Sequence, residues 1–205
     1  MVSVLSVSTV TFQSSVARYA EVLRANCMTD NLGHVNNVTY VRYAESARVN
    51  WAKNIAYYID PAHKQEWMDM YSPRGFGMIL RSIKIDYKFP MTWPDRVTVY
   101  HKLRSAPSAS SDAFHLDVTV LSELHQRCAA RCVEDIVVYD YRQGRKTALQ
   151  PFMQDVFQDT FRQQEEARIF WSKQVRMLID RVEKLEKASW DREGAVEDLG
   201  SASSS

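Results

Sequence analysis

Asp30-Asn31-Leu32-Gly33-His34-Val35-Asn36-Asn37-Val38-Thr39-Tyr40 is the stretch on which the reading of this chain turns. An acid stands just before a tight glycine turn, and two asparagines follow where a helix would begin. Asparagine side chains accept hydrogen bonds from the first free N–H groups of a helix. Downstream, Val38, Val41, Ala44, Val49, Ala52, Ile55 and Ala56 spread apolar groups over several helical faces, joined by Tyr40, Tyr43, Ala47 and Trp51. A helix apolar on so many sides is predicted to be buried, wrapped by a sheet. Its first turn carries unsatisfied N–H groups and partial positive charge. A carboxylate beside such an end suits chemistry in which developing negative charge must be stabilised.

Outward from the helix the period changes. Pro61 predicts the helix end near Tyr58–Asp60, and 63–77 reads as a long polar and aromatic connection that either covers a binding site or packs on the sheet. Met78 to Phe89 predicts a strand, with Ile79, Ile83, Ile85, Tyr87 and Arg81 on one side. Arg96 to Arg104 predicts the next. After the hairpin loop 105–112, Phe114, Leu116, Val118 and Val120 alternate cleanly, and Gln126 to Tyr141 closes the series. Upstream of the glycine turn, Tyr19 to Met28 alternates weakly and predicts the first strand. One long helix followed by antiparallel strands at short intervals defines an α+β domain.

The residues D-x-x-G-H-V-N-N-x-x-Y (Asp30 to Tyr40), followed by Tyr43, Glu45, Ala47 and Arg48 in the pattern Y-x-E-x-A-R, resemble the hotdog-fold acyl-CoA thioesterases of the 4-hydroxybenzoyl-CoA thioesterase type. The motif covers about twenty residues and continues more weakly to Tyr141. The resemblance implies a hotdog fold, an antiparallel sheet curled around a long central helix. It implies hydrolysis of the thioester of an acyl-CoA, in lipid metabolism, by homodimers or homotetramers, with no cofactor and no metal. It implies that Asp30 is the catalytic acid and that the Asn37 N–H polarises the carbonyl. Gly33, His34, Val35 and Tyr40 are then the substrate-side residues. His34 orients water or substrate, or braces the turn. Family members usually carry a second acid where this chain has Met28, which leaves room for a rival reading, a non-catalytic hotdog-fold acyl-binding or scaffold protein. A basic rim for the phosphates of coenzyme A is expected among Arg81, Lys84, Lys88, Arg96 and Lys102. Glu45 and Arg48, three residues apart, are predicted to meet on the helix surface.

Composition narrows the classes further. The 205 residues are 45 % hydrophobic, enough for a core, and the net charge of +1 gives no electrostatic footprint for nucleic acid. No apolar run approaches the length of a membrane span. Cys27, Cys128 and Cys132 have neither disulfide nor zinc-site spacing, and reduced thiols in an intracellular, cytoplasmic protein are expected. The segment 1–18 lacks the charged start and continuous apolar block of a secretory signal; a mitochondrial address is the other reading. The expected organisation is an N-terminal segment at 1–18, the hotdog domain at 19–149, a helical extension at 150–190 and a disordered tail at 191–205. Within the extension, Trp171, Val175, Leu178, Val182 and Leu185 follow a 4-3-4-3 spacing. That stripe either packs on its own domain or supplies a subunit contact.

Overall fold

The computed structural model describes residues 17–19, 33–108, 110–191 and 193–194. Met28, Asp30, Cys27, most of the N-terminal segment, most of the strand expected at 19–28 and most of the tail lie outside the described residues. The chain divides into two compact units, residues 1–163 and 164–205.

In the first unit, Ala17–Tyr19 (β1) opens a sheet completed by Phe76–Tyr87 (β2), Val97–Leu103 (β3), Ala113–Ser122 (β4), Arg127–Asp140 (β5) and the two-residue Arg145–Lys146 (β6). The strand order is β1-β3-β4-β5-β2, every described pairing is antiparallel, and β6 adds to β5. The first strand pairs from Ala17, two residues earlier than its sequence pattern indicated.

The central helix α1 spans Asn37–Asn54 and continues as a π-helical turn over Ile55–Ile59. Asp60 ends it: its carboxylate accepts the Trp67 indole N–H at 3.0 Å and faces His63 Nδ1 at 2.9 Å, and the proline follows. One face of α1 (Tyr40, Ala44, Ala47, Trp51, Ala52, Ile55 and Ala56) is buried with the inner residues of β3, β4 and β5. The opposite face is not, and Val38 is 61 % exposed. Alanines at 44, 47, 52 and 56 let the helix lie close to the sheet, while Trp51, Phe114 and Phe157 fill the gap with ring centroids 4.7 to 6.3 Å apart.

Alternation carries through the sheet. In β4, Phe114, Leu116, Val118, Val120 and Ser122 point inward, each opposite or beside an inward residue of β5. In β2 the register shifts between Leu80 and Ser82, leaving Arg81 as a bulge. That bulge flips the phase, so Leu80, Ile83, Ile85 and Tyr87 share the inner face and Ile79 faces away, against the single-face expectation.

The connection before β2 is not a loop. Lys64–Asp69 forms a short helix, α2, and the segment buries Trp67 and Met70 in the core. The last helix, α3, runs Pro151–Ala188. Its first turns bury Met153, Phe157 and Thr160, so the packing boundary falls inside the helix and not at 149.

Candidate active site at the start of the central helix

The site is built by a sharp turn held against the sheet. Gly33 has φ +80°, a left-handed conformation that side chains resist, and nothing lies within 4 Å of where a Cβ would stand. The glycine is therefore required by backbone geometry, not by crowding. Val35 follows and is pinned: its N–H donates to the Met91 carbonyl at 2.8 Å. His34 is half-buried between them, with Nδ1 3.4 Å from the Val35 carbonyl.

Asn36 is the N-cap. Its φ of −58° and ψ of 140° turn the chain into the helix, and its side-chain oxygen accepts the Val38 N–H at 2.9 Å. Its carbonyl accepts the Thr39 N–H at 2.9 Å. The Asn37 N–H, first in the helix, makes no hydrogen bond among the described residues, and Asn37 is exposed. Its carbonyl is held from the other side by the Tyr87 hydroxyl, which donates at 3.2 Å. Among the described residues the N-terminal end of α1 thus presents an unspent donor on a braced peptide, in the positive field of a helix start.

Tyr40 stands in the wall behind the turn. It is 2 % exposed, its hydroxyl donates to the Phe89 carbonyl at 3.3 Å and accepts the Met91 N–H at 3.2 Å. Burial raises its pKa and that of Tyr43, so both phenols stay neutral. Both lone-pair and proton capacities of the Tyr40 hydroxyl are occupied by the 89–91 segment, which in turn holds Val35.

A second polar group lies deeper. Glu134 on β5 is fully buried, and Arg48 of α1 reaches it with Nη1 to Oε1 at 2.5 Å. Arg48 therefore pairs across the core and not with Glu45, which is exposed; the three-residue spacing was the weaker attraction because a buried carboxylate demands a charge partner. His101 Nε2 stands 3.5 Å from Glu134 Oε2, and neither ring nitrogen nor that oxygen has a hydrogen-bond partner among the described residues. The Tyr71 hydroxyl, turned inward onto the Arg48 carbonyl at 3.1 Å, has its pKa raised by burial. Next along β5, burial pushes the Cys132 thiol up to about 12, an inert thiol. Sequence reasoning missed Glu134 and His101. The signal was present in Glu134, an acid on the inward side of the alternation Ala130, Cys132, Ile136, Val138.

The candidates for a basic rim are scattered. Arg81 pairs with Asp135 at 2.6 Å, Lys88 with Asp86 at 2.5 Å and Lys102 more loosely with Asp117 at 3.7 Å. Among the described residues no group of three or more His, Cys, Asp or Glu side chains could hold a metal ion, and no helix is long and apolar enough to cross a membrane.

An antiparallel sheet with strand order β1-β3-β4-β5-β2 packed on one long helix is the hotdog arrangement, and solved structures share it. A thioesterase from Thermus thermophilus, complexed with coenzyme A and Zn, is 20 % identical, with a TM-score of 0.54 over 73 % of this chain and 95 % of its own. A 1,4-dihydroxy-2-naphthoyl-CoA thioesterase from Synechocystis is 19 % identical, with a TM-score of 0.54 over 70 % of this chain and 95 % of its own. A DHNA-CoA thioesterase from Staphylococcus aureus is 15 % identical, with a TM-score of 0.54 over 74 % and 91 %. At these identities the likeness is one of fold. No curated protein matches the chain. Residues 23–157 match the thioesterase-like superfamily, and the chain belongs to it. The match ends at Phe157, and the remainder of α3 lies beyond it.

Proposed function

We propose that this chain hydrolyses the thioester bond of an acyl-CoA, with Asp30 as the acid that does the chemistry and the Asn37 N–H as the donor to the oxyanion. The observation that carries the reading is the start of α1, where the Asn37 N–H has no hydrogen-bond partner among the described residues, its peptide is braced by Tyr87, and Gly33 makes a left-handed turn just ahead of the cap. Membership of the thioesterase-like superfamily and the coenzyme A complex of the Thermus relative support the substrate class.

Asp30 stands three residues before Gly33 in the chain. As a general base its carboxylate takes a proton from water while the water oxygen bonds to the thioester carbon. The carbonyl oxygen becomes an oxyanion facing the Asn37 N–H and the positive end of the helix. Collapse breaks the C–S bond, and the departing thiolate takes the proton. As a nucleophile Asp30 itself bonds to the carbon, expels the thiolate and leaves a mixed anhydride that water then opens. Both routes use the same oxyanion donor, worth about 3 kcal/mol in the transition state. Gly33, His34 and Val35 form the turn beside the reacting carbon, and Tyr40 fixes its wall. No cofactor enters either route.

β2 is a strand of 12 residues at the edge of the sheet, with one side unpaired among the described residues. Such an edge pairs readily with another strand, and we infer a homodimer or homotetramer built on it. Light scattering of the full chain should give two or four times the chain mass; a monomer would overturn this.

The activity is tested by release of free coenzyme A from a panel of acyl-CoAs, short, long and aromatic, with wild type beside Asp30→Asn. At least one substrate should be cleaved by wild type, with the rate falling about 10²- to 10⁴-fold in the variant. Equal rates in both proteins, or no release from any substrate, would overturn the reading.

A further inference from the structure

The part of the chain that the hotdog fold does not use is the second half of α3. From Gln164 to Trp190 no described residue is buried. Yet Trp171, Val175, Leu178, Val182 and Leu185 recur at 4-3-4-3 spacing and stand 52 to 67 % exposed. A repeat averaging 3.5 residues keeps large apolar groups on one narrow stripe, which is the seam of a coiled coil and narrower than the face a helix presents to a globular core. Leaving it in water forgoes the burial of five large apolar side chains.

We propose that residues 171–185 pair with the same segment of a second copy of this chain as a parallel, in-register, two-stranded coiled coil. Three features of the sequence on this helix select that occupant. Valine, β-branched, takes both a positions of the seam (175 and 182), and leucine takes the d positions 178 and 185, with Trp171 at the first d. Branched residues at a with leucine at d favour two parallel strands. The flanks match as well. Gln174 and Arg181 fall at g, and Ile179 and Glu186 at e. In a parallel pair each g residue meets the e residue five positions on in the other strand. Arg181 of one copy then meets Glu186 of the other, a pair formed twice by symmetry, and Gln174 meets Ile179 without charge conflict. The antiparallel register that stacks Trp171 on Val182 and Val175 on Leu178 would instead set Arg181 against Gln174, with no ion pair. The outer face carries Asp180, Glu183, Lys184 and Lys187, a mixed-sign surface that suits solvent and not an anionic lipid surface.

The seam stops where the heptad fails. Arg168, at the preceding a position, is tied to Glu165 by two hydrogen bonds at 2.7 and 2.9 Å, and Ser189 occupies the following a position. Ile169, Phe170 and Met177 are exposed and lie outside the seam. The pairing is independent of catalysis: it is read by cross-linking, and thioester cleavage by release of coenzyme A.

The experiment uses the full chain with one added cysteine at a time, Leu178→Cys or Leu185→Cys at d and Asp180→Cys on the outer face, with wild type as the control for the native thiols. Mild oxidation should give a covalent dimer at 178 and at 185 at least tenfold faster than at 180. In the Leu178→Cys background, Arg181→Glu should slow the cross-link several-fold, and adding Glu186→Arg should restore it. Equal yields at 178 and 180, no dimer at either d position, or no rescue by the charge swap would overturn the proposal.

Discussion

The two ends of the central helix are made of different materials. At its start, Gly33, His34, Asn36 and Asn37 are small or polar, exposed or half-buried, and held by main-chain contacts to Met91 and by the Tyr87 hydroxyl. At its far end, Trp51, Ala52, Ile55 and Ala56 are sealed under Phe114, Phe157 and Trp67. Among the described residues one end leaves a donor unspent, and the other seals its inner face while Tyr57 and Tyr58 stand exposed on the outside. The contrast teaches that apolar burial anchors the far part of the helix, which frees its start to keep N–H groups that a packed helix end could not tolerate.

The strongest way to break this division is Phe157→Ala. The ring is fully buried at the meeting of α1, α2, β4 and α3, and its removal leaves a cavity among Trp51, Trp67 and Phe114. Denaturant unfolding should show a loss of about 3–5 kcal/mol, with kcat unchanged at a temperature where the variant is folded. A matching fall in kcat would mean that the two ends are not separable.

Midway along the helix, Arg48→Met should cost about 3 kcal/mol, because it strands the Glu134 carboxylate in the core beside His101. Replacing both partners, Arg48→Met with Glu134→Leu, should recover most of that stability. If the double variant is as unstable as the single one, the pair is contributing more than mutual neutralisation.

Asn36→Ala sharpens the comparison from the other side. Loss of the cap should lower stability by only about 1 kcal/mol. In the proposed reaction it should lower kcat by more than that stability loss would imply, because the cap orients the Asn37 peptide. Unfolding and coenzyme A release measured on the same preparation would read both; a stability loss with kcat intact would assign Asn36 to folding alone.

Much of this was legible in the sequence because it depends on local order. The alternation of Phe114 to Val120 fixed β4, Pro61 bounded the helix, and the glycine before two asparagines marked the turn and cap. Other features could not be read locally. Arg81 sits in a strand pattern that looks continuous, and only pairing with β5 turns it into a bulge that sends Ile79 to the other face. Trp67 and Met70 lie in a segment with the composition of a loop, and their burial needed the aromatic side chains of α3 as a partner surface. Tyr40 belongs to the motif, but its hydroxyl is spent on Phe89 and Met91, some fifty residues away in the chain.

By itself the sequence determined the α+β class, the glycine turn, the capped start of the central helix and the heptad stripe of α3, because each is a matter of residue type and spacing along a few turns or strands. The tertiary structure decided which face of the helix is buried, that Arg48 answers Glu134 and not Glu45, that the first turns of α3 complete the core while its stripe stays exposed, and that Tyr87 braces the Asn37 peptide. Those outcomes rest on contacts between residues tens of positions apart, where burial removes water and makes an unpaired charge or an unfilled gap too costly to leave.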